Sequence, residues 1–434
     1  MSKVSITLES ASETSVQPIM ATGGKGSSCR VLIPFFTPFL YGMERAVIEI
    51  FAALRPEVEP HFVQSYMIAC RRPPVIEEMA NRGFEMSLLP DKKDWIKVQK
   101  PKSLRQFWQL LEALVLGNIA MLKAVRGLDV LYIPAISYAY SSILAALAFR
   151  LRGRRIIHHF HDIGTKNSAF WRVWQRLVTD CIHNTQYGCE VVARTHPGIR
   201  RKRNFVVPCI MDLQRPVQED LDAIRLLRGK RNIFYIGQVS WHKGIDLLLE
   251  SFKPIAEAHP DVMLHMIGGC APTFQEELNR TIAQLPLSGR VKCWGFREDG
   301  LLLLRHAYVY VHPSPPSRFH ESFGRAVVEA MSLGIPTVCF CSGALREIVV
   351  HQRTGLVCEE NFSFLTAALA QFLANSGFRN ECAANARARY VQLYSPNVAR
   401  ERWESIFFPP NHGRSSVNLH ARDSPIRANR KPVC

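Results

Sequence analysis

The sequence predicts an α/β protein of two doubly wound parallel-sheet domains facing a cleft. Three observations carry that prediction. Apolar runs of strand length alternate with helical patterns along almost the whole chain, the alternation restarts after Pro208, and glycine-bearing turns recur where strands of the second half end. The 434 residues suffice for two or three domains with their own cores. With 47% hydrophobic and 21% charged residues the chain is not of a disordered, collagen-like or polytopic membrane class.

Taken in order, the first half reads as strand 30–35 and helix 42–54, strand 61–69 and helix 75–82, strand 129–136 and helix 141–151, then strand 155–159. The wide apolar stripe of 104–125 reads as a core helix ahead of strand 129–136. The uncharged run 130–149 contains Pro134 and several Ser and Tyr, so it divides into strand, turn and helix instead of one membrane span. The second half gives strand 232–236, helix 244–259 and strand 263–267, followed by strands 290–293, 307–312, 336–340 and 356–357. A last helix, 397–406, precedes Pro409-Pro410. The expected organisation is a disordered segment 1–28, a first domain 29–205, a second domain 206–396, a terminal helix 397–408 and a disordered basic tail 409–434. Ligands in such sheets bind beyond the carboxyl ends of the strands, so two facing domains create a shared cleft.

The chain carries 54 Lys+Arg against 37 Asp+Glu, a net charge of +17. That excess is local: residues 92–205 hold 20 basic and 6 acidic side chains, while 206–408 hold 21 and 20. An anionic partner for the first domain follows. Trp95 and Ile96 among lysines in 91–108, and Trp171 and Trp174 beside Arg172 and Arg176, point to an anionic membrane surface. No nucleic-acid-binding signature accompanies the charge, and a near-neutral second domain offers no continuous basic groove. The twelve cysteines form no CxxC pair and read as free thiols in a reducing compartment. Residues 1–28 lack the apolar core of a secretion signal, which leads to the expectation of a cytoplasmic protein, peripheral on the inner face of the membrane.

The chemistry concentrates between Pro313 and Gly334. A Pro/Ser loop leads to Glu321, then Ser322-Phe323-Gly324, then a helical run in which Glu329 lies eight positions on. Eight positions are about two turns and a rotation of roughly 80°. The mouth of that helix suits a diphosphate, and flanking carboxylates suit sugar hydroxyls. Spacing alone also allows Glu321 to be a plain N-terminal helix carboxylate and Glu329 a solvated charge. Lys243, just before Gly244 in the turn after Gly237, can reach phosphate oxygens as a compact charge, or simply be solvated. Gly268-Gly269 and Gly295-Phe296 are two further turns at strand ends. His158, His159 and His161 do not converge on one face of their strand, so no metal site is expected.

The order Gly237-x5-Lys243-Gly244, Gly268-Gly269, Trp294-Gly295-Phe296, Pro313-Ser314, Glu321-x-Phe323-Gly324-x4-Glu329-Ala330-Met331 and Glu347-x7-Gly355-Leu356 resembles the donor domain of GT-B retaining glycosyltransferases of family 4. The GT-B fold is two Rossmann-like domains facing a central cleft. The first half agrees more loosely, through Gly42-x-Glu44, the strand ending at Ala135, His161-Asp162 and Val207-Pro208 with Asp212. The resemblance implies a metal-independent, cofactor-free transfer from a UDP- or GDP-sugar to a lipid-linked, polysaccharide or other glycan acceptor. It further implies that Glu321 holds hydroxyls of the donor sugar, Glu329 the ribose, and Lys243 the diphosphate. The backbone of Ser322, Phe323 and Gly324 would cradle sugar and phosphates, and that of Phe296 and Arg297 would read the base. Gly42 would approach the diphosphate from the first domain, with Gly237 and Gly268 lining the second, and His161 would lie by the reacting carbon. Two positions depart from the family pattern: Gln238 stands where an arginine is usual, and Tyr41-Gly42 replaces Gly-Gly. Arg297, Arg318 or Arg325 are candidates to replace the missing cation. The competing expectation is a catalytically weak nucleotide-sugar-binding or scaffold protein on the same fold.

Overall fold

A computed structural model describes residues 28–35, 40, 42–64, 74–88, 103–163, 168–213, 218–285, 287 and 289–409. All but residue 28 of the expected segment 1–28, all but residue 409 of the expected tail 409–434, and residues 91–102 of the lysine-rich stretch 91–108 lie outside them. Two parallel sheets form. The first holds β1 (Cys29–Pro34), β2 (Val58–Gln64), β3 (Glu85–Leu88), β4 (Val130–Ile133), β5 (Arg155–Phe160), β6 (Asp180–His183) and β7 (Arg203–Val206), in the order β3-β2-β1-β4-β5-β6-β7. The second holds β8 (Arg231–Ile236), β9 (Val262–Ile267), β10 (Val291–Gly295), β11 (Ala307–His312), β12 (Thr337–Phe340) and β13 (Gly355–Cys358), in the order β10-β9-β8-β11-β12-β13. Each order reverses direction beside its first strand, which opens a crevice at the carboxyl end.

The apolar runs became the central strands because a strand covered on both faces must be apolar throughout. Val31, Leu32, Ile33, Ile156, Ile157 and Ile233 are all fully buried. Three short strands, β3, β6 and β7, had no such signature. In β6 the reason is Asp180, buried completely and ion-paired with Arg155 of β5 at 3.1 Å and Arg203 of β7 at 2.5 Å. A carboxylate that staples three adjacent strands reads, in sequence, as a break in an apolar run.

The terminal helix takes a place that the sequence did not specify, and one further expectation changes. The helix Pro396–Phe407 leaves the second domain and buries Ala399, Trp403, Ile406 and Phe407 in the core of the first. Trp403 donates from Nε1 to the Pro208 carbonyl at 2.9 Å, so the terminal helix also clasps the linker. Trp171 and Trp174, expected at a membrane surface, are buried against His158, Phe160 and His196. Their spacing of three places both on the inner face of the helix Ala169–Leu177, with Arg172 and Arg176 outside.

Burial also sets an acid limit on stability. It pushes His158 down to about 3, helped by neighbouring His159, His183 and His196, and pushes His183 and His265 down to about 4. These rings are neutral in the fold, whereas the unfolded chain binds protons below an ordinary histidine value near 6.5. Their contribution is therefore complete above about pH 6.5 and is lost as pH falls toward 4. Urea midpoints should fall steeply between pH 7 and pH 5; a flat profile over that interval would contradict the assignment.

Candidate active site

The carboxyl ends of β8, β9 and β11 converge on one loop system. Its tightness depends on glycine: Gly244 has φ +77°, and a Cβ there would lie 2.0 Å from the Pro313 carbonyl oxygen. A Cβ on Gly268 would lie 1.8 Å from the Gly237 oxygen. These contacts bring the Lys243 turn onto the Pro313 loop that leads to Glu321.

Glu321 is the centre of the site. Its Oε1 accepts from Lys243 Nζ at 2.8 Å, His312 Nε2 at 2.9 Å and Ser314 Oγ at 2.8 Å. Lys243 also sits 3.3 Å from the centre of the Phe319 ring. Burial pushes the Glu321 carboxyl up, but the charges and hydrogen bonds of His312 and Lys243 outweigh it and hold the group well below the usual carboxylate range. Glu321 is thus a fixed anion whose Oε2 takes no part in these three hydrogen bonds. Lys243 is therefore not simply solvated, and Glu321 is held by three side chains instead of serving only as a helix N-terminal carboxylate. His312 and Ser314, to which the sequence reading gave no role, complete the cluster; the available signal was their place at the end of an apolar strand within ten residues of Glu321.

The helix Arg325–Ser332 starts from Gly324, and Phe323 packs its ring into the core against Tyr394. Ser322 accepts from Thr185 Oγ1 of the first domain through its carbonyl at 2.9 Å. Glu329 is mostly buried, with 21% of its side chain exposed. Burial raises its carboxyl and Glu49 adds to the rise, while Arg325, with its NH2 3.8 Å away, counteracts part of it. Arg325 also bonds Glu49, a buried residue of the helix Gly42–Ala53, at 2.9 Å across the cleft. Gly42, at the start of that helix, is exposed with nothing within 4 Å of its Cβ position.

His161 follows β5. Its ring lies 3.8 Å from that of His159, Nδ1 lies 3.5 Å from Asn184 Nδ2, and Nε2 is buried without a partner. Burial, His158 and the Arg325 charge push it down to about 3, so the ring is neutral. His158 packs among Trp171 and Trp174, apart from the His159–His161 pair.

Other expected residues remain separate from this cluster. Phe296 is 67% exposed. Arg297 is held by Asp299 at 2.6 Å and Asp220 at 2.9 Å. The side chain of Gln238 is exposed, and its carbonyl accepts from Tyr235 at 2.7 Å. Arg318 makes two 2.8 Å bonds to Asp246. All three arginines considered as replacement cations therefore already have carboxylate partners.

Two facing parallel sheets with a buried anion, cation and helix start at their crevice define a GT-B protein, and solved structures agree with that fold. Anabaena HepE in complex with UDP and glucose superposes with a TM-score of 0.68 at 19% identity, covering 87% of this chain and 99% of that one. Sucrose-phosphate synthase from Thermosynechococcus elongatus gives 0.65 at 17%, covering 88% and 98%. Residues 217–389 match the family model for glycosyl transferases group 1. That match lies within the second domain and covers less than half of the chain. Curated relatives include an uncharacterised glycosyltransferase of Methanocaldococcus jannaschii, 26% identical over 49% of this chain and 55% of its own length. Mannosylfructose-phosphate synthase of Agrobacterium fabrum is 29% identical over 39% and 42%. The matched region thus spans about half the length of these relatives.

Proposed function

We propose that the protein transfers a sugar, with retention of anomeric configuration and without a metal, from a UDP- or GDP-sugar to a lipid-linked, polysaccharide or other glycan acceptor. The Lys243–Glu321 pair carries this reading: a fixed anion suited to sugar hydroxyls lies 2.8 Å from a cation suited to a diphosphate. The UDP and glucose bound by the similarly folded HepE support the donor class. In this scheme the bond from the anomeric carbon to the phosphate oxygen breaks, the acceptor oxygen bonds to that carbon from the same face, and its proton passes to a phosphate oxygen. Lys243 and the start of the helix Arg325–Ser332 stabilise the departing diphosphate. Glu321 and neutral His161 orient the sugar, Glu329 takes the ribose, and Gly42 closes from the first domain. The backbone of Gly237, Gln238, Gly268, Phe296 and Arg297 lines the nucleotide side.

The same reading places the protein in the cytoplasm, peripheral on an anionic membrane face. No helix among the described residues is long and apolar enough to cross a membrane. Incubation with labelled UDP- and GDP-sugars and a membrane extract tests transfer: label entering lipid or glycan supports it, and bound but untransferred label supports the weak binding or scaffold reading. The commitment of Arg297, Arg318 and Arg325 to carboxylates favours that second reading by leaving position 238 without a cation. Gln238→Arg should therefore raise kcat by about tenfold, roughly the value of one added charge–phosphate contact; an unchanged rate would show that the missing charge is not limiting.

A further inference from the structure

The helix Leu104–Lys123 was expected to be a core helix, yet it has two apolar faces and buries only one. On the inner side Gly117 lies against Ser141, and Asn118 donates to the Tyr140 carbonyl at 2.9 Å and accepts from the Leu144 amide at 3.0 Å. On the outer side Leu104, Trp108, Leu111, Val115, Ile119 and Leu122 are between 40% and 74% exposed. Their steps of three and four residues align them in one stripe. The neighbouring helix Ile143–Leu151 extends the apolar surface with exposed Leu144, Leu147 and Leu151. Continuous apolar surface of this kind marks an interaction site.

Charge selects the occupant. Lys123 and Arg150 on these helices, Arg126 and Arg152 just past their ends, and Arg172 and Arg176 on the adjoining helix Ala169–Leu177 are all exposed, and Glu112 is the single acid within Leu104–Lys123. Two copies meeting through this face would oppose like-charged rims, whereas lipid phosphates complement them. Position also matters. From Asn118 back to Leu104 is about 21 Å of helix at 1.5 Å per residue, so the first turns extend past the Tyr140 turn, at the end of the sheet that faces the cleft.

We propose that this two-helix face docks the protein on an anionic bilayer, with the apolar stripe in the headgroup boundary and the basic rim on lipid phosphates. Given the sugar-transfer reading, on which this clause alone rests, the geometry sets the cleft mouth beside an acceptor held in the membrane. The docking element is thus the exposed stripe, not the buried Trp171 and Trp174.

Flotation of the full chain with phosphatidylcholine vesicles, with and without phosphatidylglycerol, tests it. Binding should require phosphatidylglycerol and weaken at least about tenfold in a Leu104→Glu/Trp108→Glu/Val115→Glu variant that keeps the wild-type melting temperature and UDP affinity. Arg150→Glu/Arg152→Glu should also weaken binding, and to a greater degree as lipid charge rises. Undiminished binding by the triple variant overturns the proposal, as does absence of vesicle binding by the wild type. A wild-type dimer that the triple variant converts to monomer overturns it in favour of a second copy. Vesicle binding without sugar transfer would instead refute the transfer reading and leave the docking face standing.

Discussion

Glu321→Gln should lower kcat/KM for the donor by about 100- to 1000-fold, the range seen when one preorganised polar group is removed from a reacting centre. The substitution keeps the shape of the side chain and removes its charge. Lys243, His312 and Ser314 then converge on a neutral amide in place of a carboxylate that accepts all three bonds. Charge-assisted bonds are about twice as strong as neutral ones, so both the grip on the sugar and the placement of Lys243 suffer. The affinity for free UDP or GDP should fall far less than kcat/KM, because the carboxylate is assigned to the sugar and reaches the diphosphate only through Lys243. Steady-state kinetics with the nucleotide-sugar, paired with calorimetric titration of the nucleotide alone, separates these effects. Activity within twofold of wild type would remove Glu321 from the mechanism.

Arg325→Ala should destabilise the folded chain by about 3–5 kcal/mol, the usual result of removing one member of a buried ion pair. Arg325 is the shared partner of Glu49 in the first domain and Glu329 in the second. Without it Glu49, 2% exposed, loses the guanidinium at 2.9 Å and Glu329 the one at 3.8 Å, and the mutual repulsion that already raises the Glu329 carboxyl grows. Thermal unfolding should show the loss, and a Glu49→Gln/Arg325→Met pair should recover part of it, since replacing both partners relieves the unpaired charge. A drop confined to activity, with unchanged melting, would make Arg325 a ligand contact and not a structural clasp.

Much of the fold was legible. Strands buried on both faces need continuous apolar runs, and turns approaching within van der Waals distance need glycine, so β1, β5, β8, β9 and β11 and the turns at Gly237, Gly244 and Gly268 were readable from residue type. The strands β6 and β7 were not, because Asp180 finds Arg155 and Arg203 only when the sheet assembles. The same holds for Trp171 and Trp174, whose neighbouring arginines suggested a surface while the helix turned both rings inward.

By itself, the sequence determined the α/β class, the two-domain alternation, the family motifs and the candidate pair Lys243 and Glu321. These depend on local periodicity and short spacing. The tertiary structure alone decided that three donors fix Glu321 as an anion, that Arg325 joins the two domains, that every replacement arginine is engaged, and that the helix Leu104–Lys123 turns an apolar stripe outward. Each of these depends on which residues from distant parts of the chain share a buried or exposed environment, and charge pairing and burial are properties of that arrangement and not of composition.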